Sequence, residues 1–214
     1  MSGAPWNGRF FESDARFWPI APAARRFADY GDWPTPEELT AQGVKFVTST
    51  KPRRRRGPRT EAPPPGYDAR IVGGEVPTRP RSWHDFLNAL VWATFPRSKR
   101  AYHARQAAAL RASVPPGSLT LPNARTRELD ALALLDEGGV IVLQKSETEL
   151  LEMAFGHALY ENLVRGGPRI TASALVFAVE TVPERAEAAG VADGLLAERL
   201  GGEFGPEVLA RREF

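Results

Sequence analysis

The sequence predicts one α+β domain, mostly helical, with a few short antiparallel strands. Three observations lead there. Ser-x-x-acid pairs stand before long apolar runs at Ser82 and Ser146, the mark of capped helix starts. Short alternating or β-branched runs stand at 44–48, 67–71, 140–143 and 170–180, as strands require. The 214 residues, 43% hydrophobic and 25% charged, suit one globular domain or at most two small ones.

Residues 1–43 read as an aromatic wrap over a core domain at 44–214. Phe10, Phe11, Phe17, Trp18, Phe27, Tyr30 and Trp33 are too many aromatics for a disordered tail. Pro19, Pro22 and Pro34 break this stretch into short helices. Thr35-Pro36-Glu37-Glu38 forms a capping box, and Gly43 ends that helix. Residues 44–48 alternate like a strand. The stretch 49–66, with Arg53 to Arg56 and Pro63 to Pro65, cannot build a core and is expected to be a disordered basic loop. Tyr67 to Ile71 resumes a strand, paired with 44–48 across the loop.

Ser82 opens a helix that is apolar nearly all round and therefore buried, and Pro96 breaks it. A second helix, 97–112, sets Arg97, Lys99, Arg100, Arg105 and Arg111 opposite alanines, with His103 exposed among them. Asp130 to Gln144 reads as a hairpin with Asp136-Glu137-Gly138-Gly139 at its tip. Ser146 and Glu149 cap a helix that Gly166-Gly167-Pro168 stops. A strand at 170–180 follows. A short helix then starts at 181–184 and breaks at Gly190, and one more closes the chain, for about five helices in the core.

The composition excludes several chemistries. There is no cysteine, so disulfides, iron–sulfur clusters, cysteine zinc fingers and thiol catalysis are ruled out. Any metal must use His84, His103 or His157 with oxygen ligands. No Walker or dinucleotide loop, Gly-x-Ser-x-Gly elbow or His-Glu-x-x-His pair occurs. Residues 1–18 lack the pattern of a secretory signal. The apolar stretch 86–96 falls short of the about 20 residues that span a bilayer. A cytoplasmic address without membrane contact is therefore expected.

Charge is unevenly spread. Residues 51–127 carry sixteen basic and four acidic groups, and 128–214 carry seven basic and sixteen acidic. The basic middle suits an anionic ligand or nucleic acid, or else faces the acidic part within one fold. Arg97 to Arg111 with Trp92, Phe95 and Tyr102 mixes bases and aromatics in a way that can grip phosphates and stack bases.

The candidate site rests on polar residues in apolar surroundings. His84 and Asn88 share a face of the buried helix, with Asp85 beside them. His157 lies at the edge of an apolar stripe, with Glu161 one turn on. Such groups must be paired or line a wet cleft, because an unpaired buried polar group costs about 1–3 kcal/mol. The catalytic candidates are His84, Asp85, Asn88 and His157. His84 and His157 with Asp136 and Glu137 suit a divalent metal, or acid–base work without one. Arg79, Arg81 and Lys99 are candidates to hold an anionic substrate.

Several segments carry a resemblance. They are Tyr67-Asp68-Ala69-Arg70-Ile71, Gly74 to Arg79, Trp83-His84-Asp85-Phe86-Leu87-Asn88-Ala89-Leu90-Val91-Trp92, Phe95-Pro96 with Lys99, Leu135 to Val140, and Phe155-Gly156-His157-Ala158-Leu159. Together they resemble the bacterial family called domain of unknown function 3025, over most of 43–165. The departures are the insertion at 51–66 and Tyr102-His103, where leucine and asparagine are expected. The resemblance implies no activity. The leading expectation is a hydrolase with a His/Asp/Glu/Asn cleft; the alternatives are a nucleic-acid or protein binding module using 51–127, and a structural adaptor without turnover.

Overall fold

The structure is a computed structural model and describes residues 4–40, 44–49, 67–113, 126–168 and 171–214. It is α+β. Of the expected basic loop at 49–66, residues 50–66 lie outside the described residues, as does the helix end at Gly43.

The first forty residues run as short turns rather than long helices, because proline interrupts them. Single 3₁₀ turns at Phe10–Glu12, Ala15–Phe17 and Arg25–Phe27 surround α1 (Ala21–Ala24). A further 3₁₀ turn at Pro36–Leu39 carries the Thr35/Glu38 capping box. The aromatic side chains stack on the first turn of α3 (Trp83–Thr94). Trp6 lies 5.4 Å from Trp83 and Trp33 lies 4.9 Å from it, between ring centres. Trp83 Nε1 donates to the Ala4 carbonyl at 2.9 Å.

β1 (Lys45–Thr48) pairs with β2 (Glu75–Thr78), and the pairing is parallel. Residues 67–71 are therefore not its partner strand. They form α2 (Tyr67–Val72), part of the crossover that a parallel pair needs. Gly74, at φ +88°, turns the chain out of α2 into β2.

α3 is buried along most of its length, from Trp83 to Trp92. α4 (Pro96–Ser113) follows at once. Residues 130–138 are not a hairpin arm. They belong to α5 (Arg127–Gly138), whose cap is Thr126, and Ala131, Leu132 and Leu135 form its buried face. Alanine and leucine favour helix, whereas the Val-Ile-Val run that follows favours strand. That run is β3 (Gly139–Gln144).

The hairpin lies one step downstream. β3 pairs antiparallel with β4 (Leu150–Ala154), so the helix expected from Ser146 does not form there. The Ser146 hydroxyl accepts from Glu149 N at 3.1 Å within the hairpin turn. Helix begins only at α6 (His157–Val164). β5 (Thr171–Ala178) lies parallel to β3 on its other side, and β6 (Ala210–Glu213) lies antiparallel beside β5. The strand order is β4-β3-β5-β6; this sheet is mixed and the β1–β2 pair is parallel, so the strands are not antiparallel throughout.

α7 (Arg185–Gly201) runs straight through Gly190. Ala188, Ala192, Leu196 and Leu200 form its buried stripe, whose burial outweighs the about 1 kcal/mol that Gly190 costs on the outer side. The described residues thus hold seven α-helices. None of them is long and apolar enough to cross a membrane.

Candidate functional site

Three helix ends meet at one point. The first turn of α3 brings His84, the last turn of α5 brings Asp136 and Glu137, and the first residue of α6 is His157. Two glycines make the meeting possible. Phe155 N and Gly156 N both donate to the Gly139 carbonyl at 2.9 Å. A Cβ on Gly156 would stand 2.4 Å from the Glu137 carbonyl oxygen, and one on Gly139 would stand 2.3 Å from that of Leu135. Only hydrogen at these positions lets α6 start against the end of α5.

His84 Nε2 and His157 Nε2 lie 2.9 Å apart, with the rings nearly perpendicular. Glu137 Oε2 is 3.5 Å from His157 Nε2. The ligand atoms of His84, His157 and Glu137 all lie within 4.8 Å of one another. On its far side, His84 Nδ1 lies 3.1 Å from Glu161 Oε2, and Arg165 holds Glu161 in turn at 2.5 Å. These groups open on a cleft of about 290 Å³, roofed by Ser49, Pro77 and Arg79 from the β1–β2 pair. A larger hollow of about 630 Å³ lies beside Trp18, Met153 and Phe214 and contains neither histidine.

Burial sets the charge states. It pushes His157 down to about 4, helped by Lys99 and His84 and opposed by Asp136, so the ring is neutral at pH 7. Burial raises the Glu137 carboxyl, and neighbouring Asp136 and Glu161 raise it further, against His84 and Lys99. Burial works to raise Asp136 as well, but Lys99, His157 and His103 overcome it and hold that carboxyl below its ordinary value.

The other candidates fall into different places. Asp136 and Asn88 also line the cleft, but Asp136 Oδ1 is engaged by Lys99 Nζ at 2.6 Å. Asn88 Oδ1 accepts from the same ammonium at 2.8 Å. Lys99 is fully buried and sits against the rings of Trp92, Tyr102 and Phe155, so it does not offer itself to a substrate. Arg81 pairs with Asp32 at the surface, outside the cleft lining. Arg79 does line the cleft, and Asp85 clamps it, accepting from its main-chain N at 2.5 Å and from Nη2 at 2.6 Å. Asp85 therefore holds the roof to α3. The cap contact there runs one way, with Ser82 Oγ accepting from Asp85 N at 3.4 Å.

His103, expected at the surface, is 3% exposed and stacks on Trp92. Trp92, Phe95 and Tyr102 are buried as well, so they form no stacking platform for bases. Arg105 is drawn inward to Glu128 and to the Leu200 carbonyl. The sequence reading missed the inward Lys99. Its signal was the spacing of Lys99, Tyr102, His103 and Ala107, which share one helix face.

Residues 56–154 match a family described as Protein of unknown function (DUF3025). Over that stretch the chain resembles the DUF3025 family. The DUF3025 stretch holds His84, Asp85, Asn88, Lys99, Asp136 and Glu137, while His157 and Glu161 follow just after it. No curated protein matches the chain. No solved structure matches it.

Proposed function

We propose that the cleft is the active site of a hydrolase. The observation that carries this reading is the convergence of His84, His157 and Glu137 on one point of a water-accessible polar cleft. Perturbed ionisable groups converging in a cleft are what general acid–base chemistry needs. Glu137, half-exposed and raised in pKa, is suited to take a proton from an attacking water. His157, neutral at pH 7, offers a lone pair rather than a charge. Arg79 at the roof orients the substrate while Asp85 fixes its guanidinium. A cytoplasmic setting belongs to the same proposal.

The test is a panel of chromogenic carboxyl esters, phosphate esters and amides with the full chain. Turnover is expected with at least one class, falling by about 100-fold or more in Glu137→Gln, as loss of a general base does. A folded wild type inert on the whole panel, or a Glu137→Gln variant as active as wild type, rejects this assignment. The basic stretch gives a binding role less support, because Lys99 and Arg105 are spent on internal partners.

A further inference from the structure

We propose that His84 Nε2, His157 Nε2 and the Glu137 carboxylate bind one divalent transition-metal ion, with zinc as the best fit. The inference deepens the hydrolase reading by naming a cofactor for that site: Glu137 is then a ligand, and the ion would supply the activation of water in place of a free carboxylate base; its test reads binding rather than turnover.

The spacing suits a shared ion. Metal bonds of about 2.0–2.2 Å at tetrahedral angles set neighbouring donor atoms about 3.3 Å apart. The two observed neighbour distances, 2.9 Å between the nitrogens and 3.5 Å from His157 to Glu137, lie on either side of that value. Glu137 is half-exposed, so its side chain has room to close on an ion.

The proton positions point the same way. Glu161 can only accept, so the His84 proton sits on Nδ1 and leaves the Nε2 lone pair facing His157. His157 Nδ1 is buried without a hydrogen-bond partner. A proton on His157 Nε2 would bond to His84 but leave a bare lone pair buried on Nδ1. A proton on Nδ1 leaves two lone pairs confronting each other at 2.9 Å, an arrangement that a shared cation reconciles.

The outer partners fit as well. A carboxylate behind a ligating histidine fixes its tautomer and strengthens it as a ligand. Glu161 stands there, itself held by Arg165. Asp136 is not a fourth ligand, because Lys99 holds it. Three protein ligands leave a coordination position open toward the cleft, the pattern of catalytic rather than structural zinc. Two imidazoles and one carboxylate, with no thiolate, also accept cobalt, iron or manganese, which supplies a spectroscopic probe.

The experiment uses the full chain stripped with chelator and dialysed. Zinc is titrated by calorimetry, and cobalt by its visible absorption. The expected result is one ion per chain, with a cobalt band characteristic of four or five ligands including nitrogen. His84→Ala and His157→Ala should each lose more than about 100-fold in affinity, and Glu161→Gln about 10–100-fold, the range for an outer partner. Arg81→Ala, outside the cleft lining, should bind as wild type does. His84→Gln replaces the half-exposed ligand if His157→Ala fails to fold by circular dichroism. No saturable binding to folded wild type overturns the site, and so does binding that survives loss of His84. Zinc bound without turnover keeps the site and removes the hydrolase reading. Turnover undiminished in stripped protein keeps the hydrolase and removes the metal.

Discussion

The ammonium of Lys99 lies 2.6 Å from Asp136 Oδ1, wholly out of contact with solvent. It joins α4 to α5, and through Asn88 to α3. The pair thus ties together two of the elements that carry His84 and Glu137. Removing one partner of a buried pair leaves an uncompensated charge, which costs about 3–5 kcal/mol. Lys99→Met should therefore destabilise by that amount in urea at pH 7. Adding Asp136→Leu should recover much of the loss, because a buried pair replaced by apolar groups of similar size is often neutral. A single variant as stable as wild type would mean that water reaches Asp136.

Gly156→Ala tests the contact that brings α6 against α5. The new methyl would meet the Glu137 carbonyl oxygen at 2.4 Å and Gly139 N at 2.5 Å, both main-chain atoms. Something must shift, at about 1–3 kcal/mol for such overpacking. In a chain of this length each kcal/mol lowers the melting temperature by about 2–4 °C. The same variant should weaken zinc binding, since the shift separates Glu137 from His157. An unchanged melting curve would show that the two helix ends have slack.

Asp193 on α7 caps α4 from across the fold. Its carboxylate is 4% exposed and accepts from Arg97 N at 3.1 Å and Ser98 N at 2.7 Å. Asp193→Ala leaves the buried Ser98 N and the part-buried Arg97 N unmet. The expected loss is about 1–3 kcal/mol. Asp193→Asn, which keeps an acceptor oxygen, should lose less. Chemical denaturation of the two variants side by side checks the order.

The buried neutral His157 makes stability depend on pH. Its folded pKa of about 4 lies below the ordinary 6.5, so the unfolded chain binds the proton more readily between those values. Stability is then fully present above pH 6.5 and falls as pH drops toward 4, by about 3 kcal/mol in all. Glu137, raised in the folded state, acts in the opposite sense, its contribution fading as pH rises through its folded value. In chelator, unfolding free energies at pH 7 and 4.5 should differ strongly for wild type and much less for His157→Gln. Equal slopes in the two proteins would count against a buried neutral ring.

Local signals proved reliable where the partner groups are close in sequence. Ser82 before an all-round apolar run specifies α3, because cap and stripe act within one helix. The Thr35/Glu38 box and the strand at 171–178 are legible for the same reason. The signal failed at Ser146 and Glu149, where the cap motif closes a turn. Leu150 to Ala154 goes to the open edge of β3, since a buried strand needs its backbone groups paired. The hairpin reading of 130–144 failed because two apolar runs were taken as alike, although one is alanine and leucine and the other is β-branched.

The polar residues divide along the same line. That His84 and His157 need an explanation follows from their apolar neighbours in the chain, whereas Glu137 reads only as one of two carboxylates at a turn. That Glu137 turns to the histidines while Asp136, the adjacent residue, turns to Lys99 does not follow from such neighbours. Successive residues on a helix point about 100° apart, so the choice depends on what packs on each side. Lys99, read as a surface cation, lies inside because Asp136 and Asn88 meet it there, thirty-seven and eleven residues away in sequence. Capping, periodicity and the absence of cysteine are properties of neighbouring residues or of composition and are written in the chain. Pairings over such distances depend on where whole helices dock, and docking is governed by the burial of many side chains at once.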